Sequence, residues 1–247
     1  MKIIDLAIII PTLNEEHYIG RLLDSLSIQT VSPKEIIVVD AISKDNTMVE
    51  IKKRQRVLPQ LDFDQMPKYT ISRQRNKGVE KTTAPYLLFI DADMVFQNTR
   101  SLETLFQTAI AKKADFAIPK ILPDSTNKVD RFLYLLQNGI PKALKPVKSL
   151  ATTQCLLVTR VIFQAAGGFD DGIKVGEDFD LVSRMEKEGG DFAIVDKAVM
   201  YSSIRRLKKD GRIRFVGLLT LSLLLILLVG YKKNPIQKTY EFGKHGK

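Results

Sequence analysis

Tyr86-Leu87-Leu88-Phe89-Ile90-Asp91-Ala92-Asp93 is the stretch whose reading decides the fold: an apolar run that stops at two acids one residue apart. Such a run reads as a strand buried on both faces. In an open α/β sheet, ligands bind just beyond the ends of such strands. Two carboxylates there supply hard oxygen donors that suit Mg2+ or Mn2+, with substrate phosphates completing the shell. The competing reading is a polar turn, because Asp is common in turns.

On either side the chain alternates strands and helices. Leu6–Ile10 is an apolar run closed by Pro11, and Ile19, Leu22, Leu23 and Leu26 share one face of a following helix, with Thr12 or Asn14 as its cap. Glu35–Val39 reads as a strand ending at Asp40, and Ser43–Thr47 leads into a helix through about Arg54. The pattern gives helices over Tyr69–Lys81 and Ser101–Lys112 and a strand over Ala114–Ile118. Residues 119–150 read as irregular, broken by Pro119, Pro123, Pro141 and Pro146. Gln154–Thr159 is a strand, Arg160–Ala166 a helix stopped by Gly167-Gly168, and Glu177–Glu188 a helix that opens on acids. This rhythm predicts an α/β fold, a mostly parallel sheet flanked by helices on both faces. Acids stand at three element ends: Asp40, Asp91 with Asp93, and Glu177 with Asp178. Parallel strands end at one edge, so Asp40 and the Asp91/Asp93 pair are expected to converge on one cleft.

At 247 residues the chain holds one large α/β domain or two small ones. Cys155 is the single cysteine, which excludes an intrachain disulfide, and with only His17 and His245 beside it there is no Cys/His zinc cluster. Any metal must therefore be held by carboxylates. The net charge of +10 is confined to the end of the chain. From Ser203 onward there are eleven Lys/Arg and two acids, leaving 27 basic and 26 acidic residues before it. That distribution argues against a nucleic-acid partner. Within the same tail, residues 215–231 are seventeen residues without a charge, about 25 Å as a helix, with basic residues on both flanks. Met1-Lys2-Ile3-Ile4-Asp5 meets an acid at once and is not expected to act as a signal peptide. The expectation is a catalytic domain over 1–205 on the cytoplasmic face of a membrane, held to the lipids by a basic, hydrophobic tail over 206–247 that contains a C-terminal hydrophobic membrane helix.

Three acidic sites at one edge fit a nucleoside diphosphate with its metal. One carboxylate takes base or ribose hydrogen bonds, another holds the ion, and a third across the cleft accepts a proton from an attacking hydroxyl. The order of the motifs carries a resemblance. Ile8-Ile9-Ile10-Pro11-Thr12-Leu13-Asn14-Glu15-Glu16, Ile37–Asp40 with Asp45-Asn46-Thr47, and Leu88–Asp93 resemble the nucleotide-binding half of family-2 glycosyltransferases. Gly167-Gly168-Phe169-Asp170 followed by Gly176–Leu181 resembles that family's acceptor-side motif. The resemblance covers roughly residues 5–205 and implies the GT-A fold, Rossmann-like, with a nucleotide-diphosphate sugar as donor and Mg2+ or Mn2+ as cofactor. By position it implies that Pro11, Thr12, Asn14 and Glu15 line the nucleotide pocket and that Asp40 contacts the base. Asp91 reaches the ribose or metal, and Asp93 coordinates the metal. Arg73 supports the base or phosphates and Asn76 closes its helix onto the cleft. Asp178 is the general base, Glu177 contacts the acceptor, and Arg205 with Arg206 holds the diphosphate, as in membrane-linked members. The acceptor is then a hydroxyl or a polyprenyl-phosphate-linked group, and inversion is the expected outcome. One departure stands out: the second strand runs into Asp40-Ala41-Ile42-Ser43, where the family often has two acids or Asp-Gly-Gly-Ser.

Two other readings compete. A haloacid-dehalogenase-type phosphatase also places Asp-x-Asp after an apolar strand, but that strand normally opens the domain, and here two βα units precede it. A membrane-bound sugar-nucleotide fold without activity predicts eroded acids, and these are present.

Overall fold

The computed structural model describes residues 2–67, 70–145, 149, 151 and 154–212. Its centre is an eight-stranded sheet ordered β3-β2-β1-β4-β7-β6-β8-β5. The strands are β1 (Lys2–Thr12), β2 (Val31–Asp40), β3 (Leu61–Gln65), β4 (Tyr86–Ile90), β5 (Met94–Phe96), β6 (Phe116–Pro123), β7 (Cys155–Thr159) and β8 (Phe192–Ser202). The helices are α1 (Ile19–Ser27), α2 (Thr47–Arg54), α3 (Ile71–Glu80), α4 (Ser101–Ala111), α5 (Lys128–Leu144), α6 (Arg160–Ala165), α7 (Glu177–Lys187) and α8 (Arg205–Asp210).

Side-chain alternation along the buried strands divides the core in two. Ile8, Ile10, Leu88 and Ile90 face one layer with Leu22 and Leu23 of α1, Ile51 of α2 and Leu105 of α4. Ala7, Ile9, Leu87 and Phe89 face the other with Val79 of α3, Phe163 of α6 and Leu181 of α7. Each such side chain stabilises the fold by about 1.5–3 kcal/mol when fully buried, so strands apolar on both faces specify a sheet covered on both sides.

The four strands β3-β2-β1-β4 are parallel, as expected. The other half corrects the mostly parallel reading to a mixed sheet. β7 runs antiparallel to both β4 and β6, and β5 antiparallel to β8. The chain enters β7 at the edge where β4 ends, with Ile90 opposite Cys155, and can only run back along it. Residues 119–150 are also more regular than their prolines suggest. β6 continues to Pro123, and α5 starts at Asn127, whose Oδ1 accepts a hydrogen bond from Val129 N (2.8 Å). Pro141 lies inside α5, three residues before its end, and cannot donate the backbone hydrogen bond that another residue would make there. β3 and β8 went unread because charged residues interrupt their apolar positions, as Asp62 and Asp64 do in β3, and β5 because it is only three residues long.

The topology matters through one edge. β1, β2 and β4 end together, with Thr12 opposite Asp40 and Asp40 opposite Gln65. β8, parallel to β6, ends at Ser202, and Ser203 N donates to Asp93 O (3.1 Å), delivering α8 to the same edge. Leu207 of α8 is buried in the core, so the helix packs on the body across the expected limit at 205. Residues 215–231 lie outside the described residues; among those described, no helix is long and apolar enough to cross a membrane.

Candidate active site

Asp91 and Asp93 flank a tight turn between β4 and β5, closed by Met94 N donating to Asp91 O (3.1 Å). The turn and metal-site readings of this triplet are therefore compatible: the turn aims two carboxylates, 18% and 11% exposed, at the sheet edge. Each is met by an arginine from a distant element. Arg75 Nη2 lies 2.8 Å from Asp91 Oδ1, and Arg205 Nε lies 3.2 Å from Asp93 Oδ2.

Arg75 is the residue the sequence reading missed. Its guanidinium is 1% exposed, reaches Glu177 Oε1 at 3.2 Å through Nη1, and lies over the Phe169 ring, 5.2 Å from the centroid. One buried cation thus joins the end of β4 to the start of α7. Arg73, named in its place, pairs instead with Asp171 (3.5 Å) and Glu80 (3.6 Å) at the half-exposed surface. Helical geometry separates the two: Ser72, Arg75 and Val79 share the buried face of α3, and Arg73 falls off it. Gly78 fixes that face, since a Cβ there would stand 2.5 Å from Ile9 Cγ2. The spacing of Ser72, Arg75 and Val79 was the available signal.

Asn76 does close α3 onto its neighbour. Its Nδ2 donates to Phe169 O (2.8 Å) and Asp171 Oδ1 (2.9 Å), and its Oδ1 accepts from Phe169 N (3.1 Å). It therefore tethers the Gly167-Gly168-Phe169-Asp170 loop, and has no outward edge toward a nucleotide. Gly167 and Gly168 take φ of +77° and +69°, conformations glycine meets cheaply. Arg184 of α7 ties the same loop from the far side through Ala166 O and Gly168 O.

Glu177 and Asp178 open α7 after Gly176, which caps it at φ +83°. Burial pushes the Glu177 carboxyl up to about 7; the neighbouring Asp178 adds to the rise, and Arg75 opposes it. Asp178 Oδ1 accepts from Phe179 N (3.0 Å) in the first turn.

The loops after β1 and β2 are stitched together. Asp40 is fully buried and accepts hydrogen bonds from Thr12 Oγ1 (3.1 Å), Ser43 N (2.8 Å), Ser43 Oγ and Gln65 Nε2 (3.2 Å). In this arrangement Asp40 braces the loop, and a base would reach it only where one of those donors leaves. Pro11 and Thr12 are likewise buried. Asn14, at φ +56°, donates its N–H to Ser43 Oγ (2.8 Å) and accepts from Lys44 N (2.9 Å). Gln74 bridges Thr12 O and Val39 O beneath them. Of this group Glu15 faces the acids: it takes two 2.6 Å hydrogen bonds from Arg205, whose guanidinium also covers the Tyr18 ring at 4.7 Å. The Arg206 side chain lies outside the described residues.

Among the described residues no three His, Cys, Asp or Glu side chains gather as a metal cage. The donor set fits a different mode, in which Mg2+ or Mn2+ takes one or two carboxylates and fills its shell with substrate phosphates and water. Asp93 and Asp91 stand at the sheet edge, where that mode would need its carboxylates. Cys155, buried one strand away with its thiol pKa raised by burial, is not a competing ligand.

A family model described as glycosyl transferase family 2 matches residues 7–165. An uncharacterized glycosyltransferase of Haemophilus influenzae is 24% identical over 188 residues, covering 74% of this chain and 62% of that protein. Among solved structures, TarS 1-349 of S. aureus in complex with UDP-GlcNAc aligns with a TM-score of 0.66 at 22% identity, over 82% of this chain and 58% of that one. Mannosyltransferase PcManGT from Pyrobaculum calidifontis, in complex with GDP-Man and Mn2+, aligns with a TM-score of 0.66 at 17% identity, over 87% and 64%. The chain spans less than two thirds of each of these proteins. With the model extending from β1 through the strand-end acids to α6, this chain belongs to glycosyl transferase family 2 and shares its GT-A fold.

Proposed function

We propose that the protein transfers a sugar from a nucleotide-diphosphate donor to a hydroxyl or polyprenyl-phosphate-linked acceptor at a membrane surface, with inversion at the anomeric carbon. The observation that carries this reading is the double bridge of Arg75. It holds Asp91, on the donor side, and Glu177, on the acceptor side, within 3.2 Å of one guanidinium. The two halves of a transfer site are thereby joined in one cleft.

Asp93, with Asp91 beside it, would hold Mg2+ or Mn2+ against the diphosphate, and a cation there would neutralise charge on the departing nucleotide. Arg205 stands at the same acids and would exchange Glu15 for phosphate oxygens, a bidentate pairing its planar fork suits. Glu177 is pinned by Arg75, so Asp178 takes the proton of an acceptor hydroxyl. A phosphate acceptor needs no base and reduces Asp178 to positioning. The solved relatives with UDP-GlcNAc and GDP-Man support a nucleotide sugar as donor without choosing the base. The phosphatase reading is set aside: β4 follows three βα units, and Asp91 is already engaged by Arg75.

Thermal-shift screening of nucleotide sugars with Mn2+ tests the reading, because a ligand stabilises by RT ln(1 + [L]/Kd). A donor stands out by several degrees, and Asp178→Asn keeps that shift while losing transfer to a hydroxyl acceptor. No shift with any nucleotide sugar contradicts the proposal and revives a fold without activity.

A further inference from the structure

α5 turns apolar side chains to solvent. Asp130 and Tyr134 are buried against the body, yet Val129, Phe132, Leu135, Leu136, Ile140 and Leu144 are all exposed, Leu135 by 65% and Phe132 by 56%. Steps of three, four and one residue keep them on one side of the helix. A surface helix ordinarily carries charge there, and a contiguous exposed apolar stripe marks an interaction site.

Charge selects the partner. Lys128, Arg131 and Lys142 are exposed on α5, with Lys145 next to it. Its single acid, Asp130, is buried and held by Arg212 (2.6 and 3.1 Å) and by Ser125 Oγ (2.7 Å). An apolar stripe flanked by cations, with no exposed acid on the helix itself (Lys142 pairs at 2.6 Å with the exposed Asp196 of β8), fits a helix lying in a membrane interface. The Asp130–Arg212 pair also fixes where the tail departs, since the uncharged run begins at Phe215, three residues on. That run has basic flanks of its own, which like the cations of α5 are attracted to anionic headgroups.

We propose that α5 is a membrane-docking helix whose Phe132–Ile140 stripe enters the headgroup layer of an anionic phospholipid bilayer. It extends the lipid-acceptor reading above by orienting the body on the surface. The buried Cys155 leaves Leu135→Cys as the position open to a thiol-reactive, environment-sensitive dye in the full-length chain. With vesicles containing phosphatidylglycerol, the dye emission shifts to the blue and is quenched by acyl-chain nitroxide lipids. Adding Phe132→Glu weakens that partition about tenfold, from the lost burial of one aromatic side chain. Three results overturn the proposal: emission unchanged by vesicles; a blue shift without vesicles that is independent of protein concentration, which assigns the stripe to the chain's own tail; and one that grows with concentration, which assigns it to a second copy. Nucleotide-sugar binding by the same labelled chain in detergent reports on the transferase reading separately.

Discussion

Arg205 in the first turn of α8 grips Glu15, 190 residues earlier in the chain, through two hydrogen bonds of 2.6 Å. The pair, 15% and 12% exposed, closes the loop after β1 over the strand-end acids. If Arg205 passes from Glu15 to the diphosphate, Arg205→Ala raises the Kd for UDP or GDP about tenfold, since a charge-assisted hydrogen bond contributes roughly 1.5–3 kcal/mol. Isothermal titration reads this directly. A purely structural role lowers the melting temperature and leaves Kd where it was.

Removing Arg75 leaves Asp91 and Glu177 without their shared counter-ion in a buried place. Arg75→Met is expected to cost about 3–5 kcal/mol of unfolding free energy. Arg75→Lys recovers little, because a single ammonium does not span two carboxylates as a planar guanidinium does. Urea denaturation of the three proteins measures both effects.

Glu177 makes stability depend on pH. Its carboxyl is raised from an ordinary 4.5 to about 7 by burial and by Asp178. Below about 4.5 the folded and unfolded chains both hold this proton. Between about 4.5 and about 7 the unfolded chain ionises while the fold retains the proton, so stability falls by about 1.4 kcal/mol per pH unit. Above about 7 both forms are ionised and the dependence flattens. Glu177→Gln lacks this slope, and the difference between the two denaturation series across that window checks it.

The second-strand loop shows how much was legible. Residue order alone placed Asp40 at a strand end, and the structure sets it there in register with Thr12. β1, β2 and β4 were readable because each carries a continuous apolar run, whereas β3, parallel to them, was hidden by Asp62 and Asp64. In the other half the strands β6 and β7 were readable, but β5 and β8, which pair through sequence-distant residues, and the reversed direction of β7 were not. Which of Arg73 and Arg75 is buried is a matter of helical phase: two arginines two residues apart face nearly opposite ways, and Val79 marks the buried side. Orientation was hidden too. Asp40 reads as a ligand, but its burial beneath Ser43 depends on a loop whose path no motif prints.

That path carries strain. Ile42 stands at φ +54°, half-exposed, where the family often has glycine. A β-branched residue is rarely found there, and Ile42→Gly is expected to stabilise the fold by about 1 kcal/mol despite glycine's entropy in the unfolded chain. Thermal denaturation at neutral pH measures the gain.

The central claim is that Asp93 holds a metal against a nucleotide-sugar diphosphate. Nucleoside-diphosphate release from the donor picked by thermal shift, followed with and without Mn2+ in the wild-type chain and in Asp93→Ala, tests it most directly. The account predicts Mn2+-dependent release by the wild type and a loss of at least about a hundredfold in the variant, as for a group acting on transition-state charge. Equal turnover by Asp93→Ala would contradict it.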